Sequence, residues 1–315
     1  MSMTGQDRTK LSDAAEHLMH QWGAYEMSFT WMGTTKALSK DQKGEMAQTF
    51  DAAPDWLSGS KRIIDTQDLA WKRLTVAKKI IKEFWEANSL PWPKDGVRLV
   101  KREGWGEVQD KLRDLRNELK FAASALNDEL PRLIDRAQTR LGSTFSRSDY
   151  PAGVCDLFDC DWEPVNVDPP EYLAAEHPGL YEEHSRRIAQ RFDEAARMAE
   201  EAFLLEFSKA AQKLQEKLTG INDGQPKRLR ASNVENLREF FDKFRRLNLH
   251  SSEELDNAVA QAEAALNLGG HALTRDDLRD SSDIRQHVAT KLSAALATVD
   301  GLLVNQPRRN INRRK

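Results

Sequence analysis

Two cysteines, Cys155 and Cys160, are all that the 315 residues contain. So few cannot build a disulfide framework, and a chain of this length can bury a core without one, so free thiols in a reducing cytoplasm are expected. Long apolar runs are also missing. No stretch approaches the roughly 20 residues that a bilayer-crossing helix needs, and the opening MSMTGQDRTK lacks the apolar segment of a secretion signal. A soluble cytoplasmic protein without a membrane partner follows as the expectation. Excess charge of one sign is absent too, the net value being -3, so overall charge favours neither nucleic acid nor anionic lipid. Finally, the chain has no G-x-S-x-G elbow, no H-E-x-x-H, no Walker A loop and no G-x-G-x-x-G after a strand. Neither enzymatic activity nor a cofactor is expected.

Charged residues are plentiful, at 31% against roughly 25% in average domains, which suits long helices with a large solvated surface. Two amphipathic segments dominate, 107–141 and 180–218. In the first, Val108, Leu112, Leu115, Leu119, Ala122, Leu126, Leu130, Leu133, Ala137 and Leu141 recur at steps of three or four. In the second, Ile188, Phe192, Ala195, Ala199, Phe203, Phe207, Ala210, Leu214 and Leu218 do the same. A rod of that length extends roughly 60 Å, more than one globular core covers. The predicted fold is therefore mainly α: an elongated antiparallel helical hairpin or bundle, with a small three-stranded β element at one end. Pro131 lies inside the first rod and predicts a kink or break there.

Shorter elements fill the rest. Ser12 or Asp13 caps a helix running to Trp22, and Tyr25, Met27, Phe29 and Trp31 alternate with polar residues as in a strand over 25–32. Ser39 and Gln42 form a capping box for a helix to Phe50, and Asp65 caps one to Ala87 with Leu69, Leu74, Ala77, Ile81, Phe84 and Trp85 near its apolar face. Strands are expected at 97–100 and 161–167. Capping boxes Ser232/Glu235 and Ser251/Glu254 open two further helices, and Ile284, Val288, Leu292, Ala295, Val299 and Leu302 stripe a last one. The implied organisation is a Trp-rich N-terminal α+β region (1–106), the helical hairpin (107–219) with a Pro/Asp-rich bend (143–170), C-terminal helices (220–304) and a basic tail (305–315).

Three stretches, GSKRIID at 59–65, SDYP followed by LFDCDW in the bend, and RLRASNVENLREFFDKFRRLNLHSSEELDNAV at 228–259, resemble a family of uncharacterised helical proteins from bacteriophages and integrative elements. The resemblance covers most of the chain. It implies a gene neighbourhood with a MoxR-type AAA+ ATPase and a von Willebrand factor A-type protein, hence a partner in an ATPase-driven assembly. It carries over no catalytic residues.

Each chemical constellation has a bland counterpart. Asp156, Asp159, Asp161, Glu163 and Asp168 could offer oxygens to a divalent cation and so support a metal-dependent hydrolase, but no EF-hand glycine or closing glutamate accompanies them, and a solvated acidic bend is preferred. Cys155, Cys160, His177 and His184 lack zinc-site spacing, and the His17/His20 pair beside Glu16 fits a polar helix face. Arg308, Arg309, Arg313, Arg314 and Lys315, with a second cluster at Lys227, Arg228 and Arg230, could bind nucleic-acid phosphates. Most of the eight tryptophans fall in the N-terminal third and are expected to pack the core there. The leading expectation is a non-enzymatic scaffold or adaptor for a protein partner, specifically a AAA+ ATPase. Nucleic-acid binding by the tail is the alternative. Homo-oligomerisation is expected through the 188–218 stripe, judged longer than intramolecular partners can cover.

Overall fold

The computed structural model describes residues 11–222 and 225–305, without the side chains of 221–226 and 305. The protein is mainly helical with small antiparallel sheets. Its first elements are α1 (Asp13–Gln21), β1 (Trp22–Trp31), β2 (Thr35–Ala37), α2 (Lys40–Phe50), β3 (Ser60–Arg62) and α3 (Leu69–Ala87). Next come β4 (Leu90–Pro91), β5 (Val97–Lys101), α4 (Trp105–Leu141), β6 (Phe158–Pro164), α5 (Tyr172–Glu176) and α6 (Pro178–Thr219). The chain continues through β7 (Ile221–Asn222), β8 (Gln225–Pro226), α7 (Ala231–Leu247), α8 (Glu253–Ala265), β9 (Asn267–Leu268), β10 (His271–Ala272), α9 (Arg275–Asp280) and α10 (Ser282–Asn305).

These elements form two compact units that interleave along the sequence. A terminal unit takes the described chain up to Ala24, Asn88–Glu103 and the described chain from Val165 onward; a central unit takes Tyr25–Ala87 and Gly104–Pro164. The sequence reading instead divides the chain in linear order.

In the central unit, β1 and β6 pair antiparallel from Tyr25↔Pro164 to Trp31↔Phe158. Because facing residues of such a ladder share a side, Met27, Phe29 and Trp31 lie with Trp162, Cys160 and Phe158. Phe158, Trp31 and Trp71 of α3 meet edge to face, with centroids 4.9 to 6.2 Å apart. α3 packs on α4. Asp68 at the start of α3 pairs with Arg132 late in α4, and Trp85 near its end meets Trp105 at the start of α4, so the two helices run antiparallel. Leu74 and Ile81 of α3 and Leu112, Leu119, Ala123 and Leu126 of α4 are fully enclosed. Pro131 does not break α4; it sits on the exposed side and the helix continues to Leu141.

In the terminal unit, α6 is covered by α1, α7 and α10. Its Phe203 and Phe207 enter an aromatic cluster with Phe240 and Phe244 of α7, at centroid distances of 5.1 to 6.5 Å. β4 and β5 pair antiparallel, and Trp92 beside them stacks edge-on against Phe192 of α6 at 4.8 Å. By length and composition, 282–304 is apolar enough to cross a membrane, against the expectation that no stretch would be. Its Val288, Leu292, Ala295 and Val299 are buried in this unit's core.

The two long rods thus fall in different units, and each covers its stripe with neighbours from its own unit. Periodicity specifies a buried face but not what buries it. Several helix starts also shift. Asp65 makes a turn with Gln67 N–H while Asp68 caps α3 through Ala70 N–H, and Leu69, expected on the apolar face, points to solvent. Asn233 instead of Glu235 closes back on the start of α7, and Ser252 instead of Ser251 caps α8 through Leu255 N–H. The third expected strand starts earlier, at Phe158.

Candidate functional site

The corner formed by α2 and the turn that follows is an open part of the central unit. Ser39 Oγ accepts from Gln42 N–H, and Gln42 Oε1 accepts from Ser39 N–H, the reciprocal box that starts α2. The helix ends at Asp51, whose φ of 50° is left-handed, and Pro54 opens a single turn of 3-10 helix ending at Trp56. Ala47 is the one buried residue of α2, and Gln42 Nε2 moors the helix by donating to the Thr144 carbonyl at 2.9 Å. Phe50 and Trp56 are left 70% and 90% exposed. Asp51 and Asp55 beside them are exposed as well. The corner can insert two aromatic rings into a complementary pocket and meet cations at its rim.

A second feature lies between α3 and α4, where a cleft of about 650 Å³ is lined by Asp65, Asp68, Leu69, Arg73, Ala125, Asp128, Arg132 and neighbours. Arg132, Arg136 and Arg140 stand at steps of four on α4. Arg132 and Arg136 reach Asp68 at 2.7 and 3.5 Å, and Arg140 reaches Asp65 at 2.7 Å. The hydrogen bond from Arg132 chiefly holds the Asp68 carboxyl below its usual range, while burial works against it. For Asp65 the backbone N–H of Gln67 is the main cause, with Arg140 adding to it. These arginines clamp the loop before α3 and are occupied by it.

The acidic bend is likewise engaged. Arg116 grips Asp159 through two hydrogen bonds of 2.7 and 2.6 Å and approaches Asp161 at 3.6 Å. Cys160 between them is buried, and that burial pushes its thiol up to about 11, whereas Cys155 is exposed; both are free. Among the described residues, no three His, Cys, Asp or Glu side chains converge as metal ligands, including Asp156, Glu163, Asp168, His17, His20, His177 and His184.

In the terminal unit, a cleft of about 570 Å³ is lined by Ser12, Asp193, Arg197, Glu200, His250, Ser251 and neighbours. The residue types suggest a nucleophilic triad, but the bonds do not form one. Ser12 Oγ donates to Asp193 and Ser251 Oγ to Glu200, while His250 Nδ1 pairs with Asp256 at 2.8 Å. Asn248 bonds both Asp256 and the His250 N–H, so these contacts fix the junction of α7 and α8, where His250 takes a φ of 51°.

Of the basic clusters, Lys227 is paired with Glu216 at 2.6 Å and Arg228 and Arg230 are exposed. Arg308, Arg309, Arg313, Arg314 and Lys315 lie outside the described residues. The tryptophans divide: Trp22, Trp71, Trp85 and Trp92 are core, and Trp56 is open to solvent. Sequence reasoning missed both the exposed corner and the arginine clamp. The four-residue spacing of Arg132, Arg136 and Arg140 was the available signal for the clamp; only the turn chemistry of Asp51 to Pro54 hinted at the corner. No family model, no curated protein and no solved structure matches this chain.

Proposed function

We propose that this chain is a non-enzymatic helical scaffold or adaptor that seats a protein partner on the corner at α2. The supporting observation is the pair Phe50 and Trp56, held in water beside Asp51 and Asp55, which form no ion pair among the described residues. An exposed indole is a favoured binding anchor when a partner supplies an apolar pocket, and the flanking carboxylates favour a pocket rimmed by Lys or Arg. The resemblance to the phage and mobile-element family supports a MoxR-type AAA+ ATPase as that partner, in the cytoplasm. Helical packing with coiled-coil-like seams is the finer architecture that goes with this reading. It does not require α4 and α6 to lie against each other, since each has cover within its own unit.

The test uses the purified full chain and a purified MoxR-type ATPase of the same host, with binding measured by calorimetry. Trp56→Ala is expected to weaken the complex by about 2 kcal/mol, roughly 30-fold. Equal binding by wild type and variant, or none by either, overturns the proposal.

A further inference from the structure

We propose that a second copy of this chain docks on the outer groove between α3 and α4, giving a two-fold symmetric dimer. On α3, Leu69, Arg73, Val76 and Ile80 follow one another at steps of four, three and four, so they share one side of the helix, turned away from Leu74 and Ile81 in the core. On α4, Phe121, Ala125, Asp128 and Arg132 repeat the same steps. Leu69, Arg73, Ala125, Asp128 and Arg132 line one cleft, so the two rows face the same groove. Leu69 lines that cleft at 71% exposure, and Val76 at 53%, Ile80 at 40% and Phe121 at 77% continue the two rows beyond it.

Charge selects the occupant. At one height of the groove, Lys72 and Arg73 on α3 stand level with Asp128 on α4; all three are exposed, and none of them forms an ion pair among the described residues. The other charges lining the cleft are paired within the copy, Asp68 with Arg132 and Arg136, Asp65 with Arg140 and Glu129 with Arg132, so the charge left unpaired at this height is basic on α3 and acidic on α4. A two-fold axis along the helix pair lays α3 of one copy over α4 of the other at the same height, so the unpaired cations of each copy meet the unpaired carboxylate of the other. Heights agree as well. Counting outward from the Asp68–Arg132 ion pair, Arg73 stands level with Asp128, and Phe121 stands level with the turn from Val76 to Ile80. In the dimer, Arg73 of each copy meets Asp128 of the other, and each Phe121 inserts between Val76 and Ile80 of its partner.

Sedimentation equilibrium of the full chain at micromolar concentration is expected to show a dimer. Phe121→Glu, a change at an exposed position, is expected to leave the circular dichroism spectrum unchanged and to give monomer. Arg73→Glu and Asp128→Arg are each expected to weaken the dimer by about 10-fold or more, and the double variant to restore it. A wild-type monomer, including one that binds only a foreign helix at this groove, overturns the proposal. A dimer indifferent to Phe121→Glu, or a charge exchange without rescue, does the same.

Discussion

Phe240 offers the sharpest test of the aromatic core in the terminal unit. Its ring is 2% exposed and lies within 5.5 to 6.5 Å of the rings of Phe203, Phe207, Phe241 and Phe244. Truncation to alanine removes the transfer free energy of a buried phenyl ring and leaves a cavity among four other rings that are fixed on two helices. Phe→Ala in a close-packed core costs about 3 to 5 kcal/mol. Each lost ring pair is worth about 0.5 to 1.5 kcal/mol beyond its area, which places Phe240→Ala toward the upper end. The same substitution at Phe50, 70% exposed, should fall within about 0.5 kcal/mol of wild type. Urea titration followed by far-ultraviolet circular dichroism measures both. Similar midpoints for the two variants, or a loss below about 1 kcal/mol at Phe240, would refute the packing described here.

The arginine clamp predicts a pH dependence. Asp68 is held below its unfolded value of about 4, so the stability it contributes is fully present above that pH and is lost as pH falls through its folded value; Asp68→Asn should flatten the acid limb of a thermal-stability profile, and an unchanged limb would remove the clamp as its cause. The two thiols should differ in reactivity. Exposed Cys155 is expected to be alkylated by iodoacetamide in the native protein while Cys160, buried and shifted to about 11, is spared; mass spectrometry of the labelled chain decides, and equal labelling would contradict the burial of β6.

What the sequence made legible was local. The Ser39/Gln42 box, the strand alternation of Tyr25 to Trp31 and the long stripes of α4 and α6 appear where periodicity and capping chemistry place them. Cap positions failed by one to three residues where several candidates adjoin. Ser251 and Ser252 are both competent caps, and only the geometry of Leu255 N–H selects the second. Leu69 was misread because a helix start carries a mixed face, and one leucine cannot declare whether it ends a buried row or begins an exposed one. The exposure of Trp56 was not legible at all, since composition favours burial for an indole and the open corner depends on how little of α2 is covered.

The stripe lengths led the sequence reading to expect an uncovered seam on α6, yet α6 is the well-covered rod. Phe192, Ala195, Ala199, Phe203, Phe207, Leu214 and Leu218 are all buried, because α1, α7 and α10 all pack against the helix. By contrast, α4 is comparably long but has one helix, α3, as its main neighbour, with β6 and short turns filling in beside it. One helix laid along another covers only part of its circumference, so the pair retains an outer groove, and that groove holds Phe121 and the Leu69 to Ile80 row. Along its stripe α6 is buried, and the large apolar side chains it leaves open, Leu180 and Leu205, lie off that stripe. For the dimer proposed on the α3–α4 pair, Phe121→Glu, and not a substitution at Phe203, is the change expected to separate the copies without disturbing the fold.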